Sequence, residues 1–137
     1  MTAINREEIN KIVLETIRDY SSDTVYFKDL DSRFIWNSKG HIRQLGASST
    51  EEVLGKTDFD YFPKDFAQAA RETELMIIAT GQPMLDVIEE LVVDEDTTKY
   101  YMASKYPLFD KDGKIIGTWG SSKDVTETKT IEKELQR

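Results

Sequence analysis

Residues 100–127, YYMASKYPLFDKDGKIIGTWGSSKDVTE, contain two β-rich runs joined by the turn-forming letters DKDG. This pattern predicts a hairpin with strands at about 98–108 and 114–123. Asp124 and Glu127 have the spacing of a capping box, so a helix is predicted to begin where the sheet ends. Its apolar stripe is too narrow to build a core alone but suits pairing with a second copy. The stripe contains Val125, Thr128, Ile131 and Leu135.

Further strands are predicted upstream of this hairpin. The segment TVYFKDLDSRFIWNS, residues 24–38, has two β-rich runs around a turn, and another strand is predicted at about 84–93. Between them, KDFAQAARETELMIIATG at 64–81 predicts a helix that ends at Gly81. Because paired strands lie on both sides of a helical middle, we predict an α+β fold with an antiparallel sheet and helices on one face. The residues that share one face of the long helix are Phe66, Ala70, Thr73 and Ile77.

The first segment, NREEINKIVLETIRDY at residues 5–20, predicts an amphipathic helix with Asn5 in the N-cap position and Glu8 completing the capping pattern. The chain of 137 residues is long enough for one compact core and too short for two. We therefore divide it into an amino-terminal helix within 1–20, a core at 21–124 and the start of a carboxy-terminal helix at 125–137. The apolar stripe of the first helix contains Ile9, Ile12, Val13, Thr16, Ile17 and Tyr20.

Charge and composition limit the partners of the chain. Asp and Glu number 26 against 18 Lys and Arg, which gives a net charge of −8 and makes nucleic acid and anionic membranes poor partners. The chain has no Cys, and its apolar runs are shorter than a membrane span. The first residues, MTAINREE, lack the apolar core of a signal peptide. We therefore expect a cytoplasmic protein without direct membrane contact.

Four stretches taken together resemble a PAS domain of the type found in bacterial and archaeal sensor kinases and cyclases. They are VYFKDLDSRFIW, LGASSTEEVLGKTDFDYFP, TGQPM and the hairpin with its following DVTE, and they cover roughly residues 20–127. The letters DVTE are similar to the Asp-Ile-Thr signature of the family. The resemblance implies a five-stranded antiparallel sheet around short helices, an internal cavity, frequent dimerisation and a sensory or protein-interaction role.

The resemblance also implies which residues face the cavity. In PAS proteins the residue two before the signature Asp faces inward; here it is Ser122, so Thr118 should face inward and Trp119 outward. The same register places Tyr101 and Lys105 inward on the preceding strand. A buried ammonium needs a partner, so Lys105 is expected to pair with a carboxylate or to meet an anionic ligand. The candidate carboxylates are Asp29, Asp58 and Asp60.

Two interpretations of the interior stay open. In the first, apolar walls with a few polar anchors form a small-molecule site. In the second, the same side chains fill the core and leave no site. The candidate ligand-binding residues are Phe59, Phe62, Phe66, Ala70, Ile77, Tyr101, Lys105, Thr118, Ser122 and His41.

The corner after the second strand leaves another alternative open. Many PAS proteins have an Asn just after this strand. In WNSKGH, residues 36–41, either Asn37 stands one position early or Ser38 replaces that Asn. The hydrogen bond that normally pins this corner could come from either side chain.

Missing residue types restrict cofactors and chemistry. Flavin and coumaroyl light sensors of this fold use a cysteine, so both are excluded in their usual form. Residues 58–80 contain no His, and His41 lies on an earlier helix, which disfavours haem; one His is also too few for a zinc site. No paired catalytic motif is present, so the domain is expected to be non-catalytic. The acidic pairs Asp58–Asp60 and Glu89–Glu90 are expected to be solvated.

The sequence therefore predicts a sensory PAS module of a prokaryotic signalling protein, with a histidine kinase as output. The alternatives are a ligand-free dimerisation module and the input domain of a diguanylate cyclase. The expected partners are a second copy, an effector domain and a small organic ligand. Asp124 and Thr126 are predicted to transmit the signal. The predicted dimer interface contains Ile9, Val13, Ile17 and Trp119.

Overall fold

The computed structural model describes residues 5–20 and 23–136. The five strands of this part of the chain are β1 Thr24–Asp29, β2 Phe34–Asn37, β3 Met84–Val92, β4 Thr98–Phe109 and β5 Ile115–Asp124. The α-helices are α1 Arg6–Tyr20, α2 Lys39–Leu45, α3 Thr50–Val53, α4 Lys64–Thr80 and α5 Thr126–Leu135, and a 3-10 turn covers Asp58–Asp60. This order confirms the predicted α+β fold with helices at both ends.

The strands form one antiparallel sheet in the order β2-β1-β5-β4-β3. β5 is central and pairs with both β1 and β4, while β2 and β3 are the edges. On the inner face, α2 contacts β1, and α4 contacts β4 and β5. The main cluster of buried apolar side chains lies between the sheet and the shorter helices and contains Tyr26, Phe34, Ile42, Leu45 and Val53.

The outer face of the sheet carries a row of aromatic rings. Trp119 stacks on Tyr106 at 4.3 Å and on Phe27 at 5.6 Å between ring centroids, and Trp36 meets Phe27 edge-on at 5.7 Å. The predicted outward position of Trp119 is confirmed. The indole is covered in part by its neighbours in the sheet, and α1 packs against α2 on the other side of the domain. We name the side chains Trp36, Phe27, Trp119 and Tyr106 the aromatic row.

The start of α5 differs from the prediction. The Asp124 carboxylate accepts a hydrogen bond from the Thr126 backbone N–H at 2.9 Å, and Val125 occupies the N-cap position without a side-chain cap. The predicted capping box of Asp124 with Glu127 is therefore wrong. Asp124 still pairs with Tyr101 as the last residue of β5, so its side chain closes a tight turn and does not reach the next helical turn.

Ser38 pins the corner after β2. Its hydroxyl accepts from the Val25 N–H at 2.9 Å, donates to the Asp23 carbonyl at 2.8 Å and caps α2 by accepting from the His41 N–H. Of the two side chains considered from the sequence, Ser38 fills this role. Asn37 is buried and contacts His41 instead.

Candidate functional site

The interior between helices and sheet contains small spaces. One of about 120 Å³ lies beside Asp58, Ala67 and Glu74. The cavity at the centre, next to Tyr26, has a volume of about 20 Å³. A bound water needs roughly 10–15 Å³ of such space, so the cavity has room for about one. Six of the predicted ligand-binding residues line it: His41, Phe62, Phe66, Ala70, Lys105 and Ser122.

The other predicted residues lie elsewhere. Tyr101, Ile77 and Thr118 are buried but do not line this cavity. Phe59 is 46% exposed and lines the separate space of about 120 Å³ beside Asp58 and Glu74.

Lys28 is a buried cation that the sequence analysis missed. Its ammonium lies 2.7 Å from an Asp58 oxygen and 2.6 Å from a Glu74 oxygen. The side chains of Lys28 and Glu74 are each only 1% exposed. Burial by itself lowers the pKa of Lys28, but the charges and hydrogen bonds of Asp58 and Glu74 outweigh it, so the pKa is raised overall. We name Lys28, Asp58 and Glu74 the buried triad.

The sequence analysis did not single out Lys28 or Glu74, but the sequence contains a signal for each. Lys28 follows Tyr26 at the strand period of two, which points both side chains to the inner face. Glu74 lies on the same helical face as Ala70 and Ile77. Attention to charged residues at core positions would have found both.

The second buried lysine, Lys105, pairs with Glu89 on the edge strand β3. The ammonium lies 3.1 Å from the carboxylate, and the Glu89 side chain is 23% exposed. The inward position of Lys105 is confirmed, but the predicted partner is wrong. Asp58 and Glu89 were both expected to be solvated, but each forms an ion pair with a buried lysine.

The three carboxylates first considered for Lys105 have other roles. Asp58 belongs to the buried triad. Asp29 accepts from the backbone N–H groups of Asp31 and Arg33 in the turn after β1. Asp60 accepts from the Thr57 N–H at 2.9 Å and completes a capping box.

His41 is a packing residue with a buried, neutral ring. Burial lowers its pKa from 6.5 to about 3; the charge of Asp58 opposes this shift, and that of Lys28 adds to it. Its Nδ1 lies 2.6 Å from the Asn37 side-chain nitrogen, which can only donate, so Nδ1 is the acceptor. The ring packs against Tyr26 at 4.9 Å. These contacts fix the ring as part of the core.

A large open groove lies between α4 and the edge strand β3. It has two contiguous parts with volumes of about 450 Å³ and 600 Å³, which share Ala69, Thr73 and Met84. Phe66 and Glu89 line both the groove and the small internal cavity, so they form the wall between the two. The groove is open because β3 is an edge strand that begins with a bulge at Asp86, where φ is 51°. We name this surface the α4–β3 groove.

Comparison with known proteins establishes the family. The family model described as the PAS fold matches residues 19–130, and the chain therefore belongs to the PAS family. A PAS domain is a sensory module with no catalytic centre of its own. The described residues contain no group of three or more His, Asp or Glu side chains placed to hold a metal ion. No described helix has the length and apolar character needed to cross a membrane.

Individual relatives agree with this fold. The methanogenesis regulatory histidine kinase FilI of Methanothrix harundinacea (strain 6Ac) is 29% identical over 122 residues, which are 88% of this chain and 13% of that protein. The VqmA dimer of Vibrio cholerae superposes with a TM-score of 0.72 at 24% identity, over 88% of this chain and 52% of that one. The PAS domain of Bordetella pertussis BvgS superposes with a TM-score of 0.64 at 18% identity. The match covers 96% of this chain and 98% of that domain. The chain thus spans a small part of the kinase and about half of VqmA.

Proposed function

We propose that this domain is the sensory module of a cytoplasmic, dimeric histidine kinase and that it binds a small molecule in the α4–β3 groove. One observation carries the ligand part of the proposal. The groove has a part of about 450 Å³, whereas small-molecule sites measure roughly 300–1,000 Å³. The internal cavity of about 20 Å³ is far too small. The kinase part is supported by the similarity to FilI over 88% of this chain.

The polar anchor of this site is the Glu89–Lys105 pair. Glu89 is reachable from the groove, and the Lys105 ammonium behind it is buried. A ligand that draws Glu89 away would leave Lys105 without its partner, which is costly in a buried setting. Binding in the groove is therefore coupled to the position of β4.

The route from β4 to α5 consists of hydrogen bonds at Tyr100. Its N–H donates to the Thr126 hydroxyl at 2.9 Å, and its carbonyl accepts from the Val125 N–H at 2.8 Å. On its other side Tyr100 pairs with Glu90 of β3, which lines the groove. We propose that a ligand with different affinities for two arrangements of the dimer shifts their populations through this route. Asp124 and Thr126 keep their proposed signalling role at its end.

The test fills the groove and uses a neutral apolar dye, Nile red, as the probe. Ala69→Trp places an indole in both parts of the groove, and Gln68→Trp places one on a neighbouring exposed position of α4 that does not line it. We expect the wild type and Gln68→Trp to bind the dye saturably. Ala69→Trp should bind at least tenfold more weakly. Equal binding by the two variants would contradict a ligand site in the groove.

A ligand-free dimerisation module is the second candidate function. The small central cavity favours it, because a space of about 20 Å³ admits no organic ligand. Measurements on one preparation of the protein distinguish the two candidate functions. A dimer that binds no dye and releases no compound to mass spectrometry on denaturation would support the second function alone.

A further inference from the structure

The space of about 120 Å³ lies between α4, the turn after β1 and the 3-10 turn, on a different face of α4 from the α4–β3 groove. No residue lines both the space and the groove. We name it the Arg71–Glu74 space after the two side chains of α4 that line it. We infer that it binds a small zwitterion of the α-amino-acid class, with the ligand carboxylate at Arg71 and the ligand ammonium at Glu74.

Arg71 brings a positive charge and hydrogen-bond donors to this space. Its Nη1 donates to the Leu30 carbonyl at 3.0 Å and to the Ser32 hydroxyl at 2.7 Å, which holds the guanidinium beside the turn after β1. None of the ion pairs among the described residues includes Arg71. A guanidinium has five N–H donors in a planar fork that matches a carboxylate. Its remaining N–H groups are therefore suited to a ligand carboxylate.

Glu74 brings the opposite chemistry. Its Oε2 lies 2.6 Å from the Lys28 ammonium, whereas Oε1 is buried and accepts no hydrogen bond from the described residues. Because the side chain is only 1% exposed, an unpaired carboxylate oxygen is costly unless a donor reaches it. A ligand ammonium is such a donor. Lys28 repels it, but the buried triad has two carboxylates for one cation, so a second cation at Glu74 is favourable.

The two side chains are neighbours on α4, and each is held by a different partner. Residues three apart on a helix can form an ion pair, yet Leu30 and Ser32 hold the guanidinium, and Lys28 holds the carboxylate. Since one water needs roughly 10–15 Å³, a space of about 120 Å³ admits a molecule of several non-hydrogen atoms. An α-amino acid is this small and carries both charged groups on one carbon.

The balance of charge in the Arg71–Glu74 space favours a zwitterion over a simple ion. The carboxylates of Asp58 and Glu74 are matched by the cations of Lys28 and Arg71. Asp31 also lines the space, but it is exposed, so water and salt screen its charge. An anion would leave Glu74 Oε1 without a donor, and a cation would leave Arg71 without a carboxylate. A zwitterion satisfies both groups and keeps the balance.

The experiment compares L-alanine with two probes that each lack one charged group. Propionate is alanine without its ammonium, and ethylamine is alanine without its carboxylate. Binding is measured by NMR titration of the ¹⁵N-labelled protein at neutral pH and fixed ionic strength. We expect L-alanine to bind at least about tenfold more tightly than either probe, because each lost group removes a hydrogen bond between charged partners. The amide signals of Ser32 and Arg71 should shift on binding.

One pair of variants tests the carboxylate end of the ligand. Arg71→Met removes the guanidinium from the space, and Arg43→Met makes the same change of charge at an exposed position of α2 that does not line it. We expect Arg71→Met to weaken alanine binding at least about tenfold and to leave ethylamine binding no weaker. Arg43→Met should bind alanine like the wild type.

A second pair tests the ammonium end. Glu74→Gln removes the charge of Glu74 and leaves Lys28 paired with Asp58, and Glu72→Gln removes an exposed carboxylate of α4 that does not line the space. Glu74→Gln should weaken alanine binding at least about tenfold without weakening propionate binding. Glu72→Gln should change neither. Circular dichroism must show that each variant is folded, and Arg71→Met tests the inference without a change in the buried triad.

The results support or overturn the inference independently of the groove. Alanine binding that is lost in Arg71→Met and Glu74→Gln but kept in Ala69→Trp would support it. If alanine binds no more tightly than propionate and ethylamine, or keeps its affinity in both Arg71→Met and Glu74→Gln, the inference is overturned. Binding of Nile red in the groove depends on neither result, so failure of this inference and failure of the proposed ligand site are seen separately.

Discussion

The buried triad brings three charged side chains together in the interior, and its energetic consequence can be tested. Lys28 neutralises two carboxylates whose side chains are 12% and 1% exposed, and its ammonium also lies 5.0 Å from the Tyr26 ring centre. Buried ion pairs contribute little net stability, but removal of one partner leaves charges that water cannot reach. The cation is therefore the member whose loss does most damage.

Lys28→Met should be strongly destabilising. Two buried or nearly buried carboxylates lose the cation that pairs with both of them, so we expect the free energy of unfolding to fall by about 3–5 kcal/mol. Urea denaturation at neutral pH measures the change. Lys56→Met is the matched control, since Lys56 is exposed, and should stay within about 0.5 kcal/mol of the wild type. A loss below about 1 kcal/mol for Lys28→Met would contradict the energetic role assigned to the triad.

The least predictable part of the site was which carboxylate pairs with which buried lysine. The inward position of Lys105 follows from strand register, but the register alone could not select Glu89 as its partner. That choice depended on Asp58 being occupied by Lys28, which is 30 positions away along the chain. Pairings of this range depend on the packing of α4 and the 3-10 turn against the sheet, and no local pattern encodes them.

At the scale of elements, the sequence was more informative. The alternation of apolar and polar residues, together with the turn residues, predicted the positions of the two hairpins. Gly81, with φ of 70°, ends α4 as predicted. The cap of α5 was wrong because a spacing of three residues does not reveal that β5 continues to Asp124. The groove was also missed, because its openness depends on the bulge in β3, which has no distinct sequence signal.

The junction of β4 and α5 yields a prediction at this scale. Thr126→Val keeps the shape of the side chain but removes the hydroxyl that accepts from the Tyr100 N–H. Loss of this hydrogen bond should cost about 1 kcal/mol, and exchange of the Tyr100 amide should become faster. Thr128→Val, at an exposed position of the same helix, is the control and should change neither quantity. The role of Thr126 would be refuted by unchanged exchange at Tyr100, measured by NMR.

At the scale of the whole molecule, the described part of the chain leaves several apolar side chains exposed. α1 has no buried residue, and Ile12, Val13 and Ile17 of its apolar stripe are about half exposed. The side chains of the aromatic row are half-buried on the outer face of the sheet, whereas Ile131 and Leu135 are exposed on α5. Exposed patches of this kind in small domains mark interaction sites. The exposed residues of the α1 stripe include Ile12, Val13 and Ile17.

We expect the domain to form a dimer in which α1 is buried. Val13 and Ile17 lie one turn apart and are 50% and 47% exposed, so their joint replacement by Asp places two charges in an apolar interface without disturbing the core. Sedimentation should show a dimer for the wild type and at least hundredfold weaker association for the double variant. Leu54→Asp adds a charge at a position that is 49% exposed and lies outside α1, so it should leave association unchanged.

Circular dichroism must show that helix content is kept, because a weaker dimer with a melted α1 would report helix loss and not the interface. If the wild type is monomeric at all concentrations, or if both variants dimerise equally, α1 is not the dimer contact. In that case the proposed signal would have to pass through α5 within a single chain.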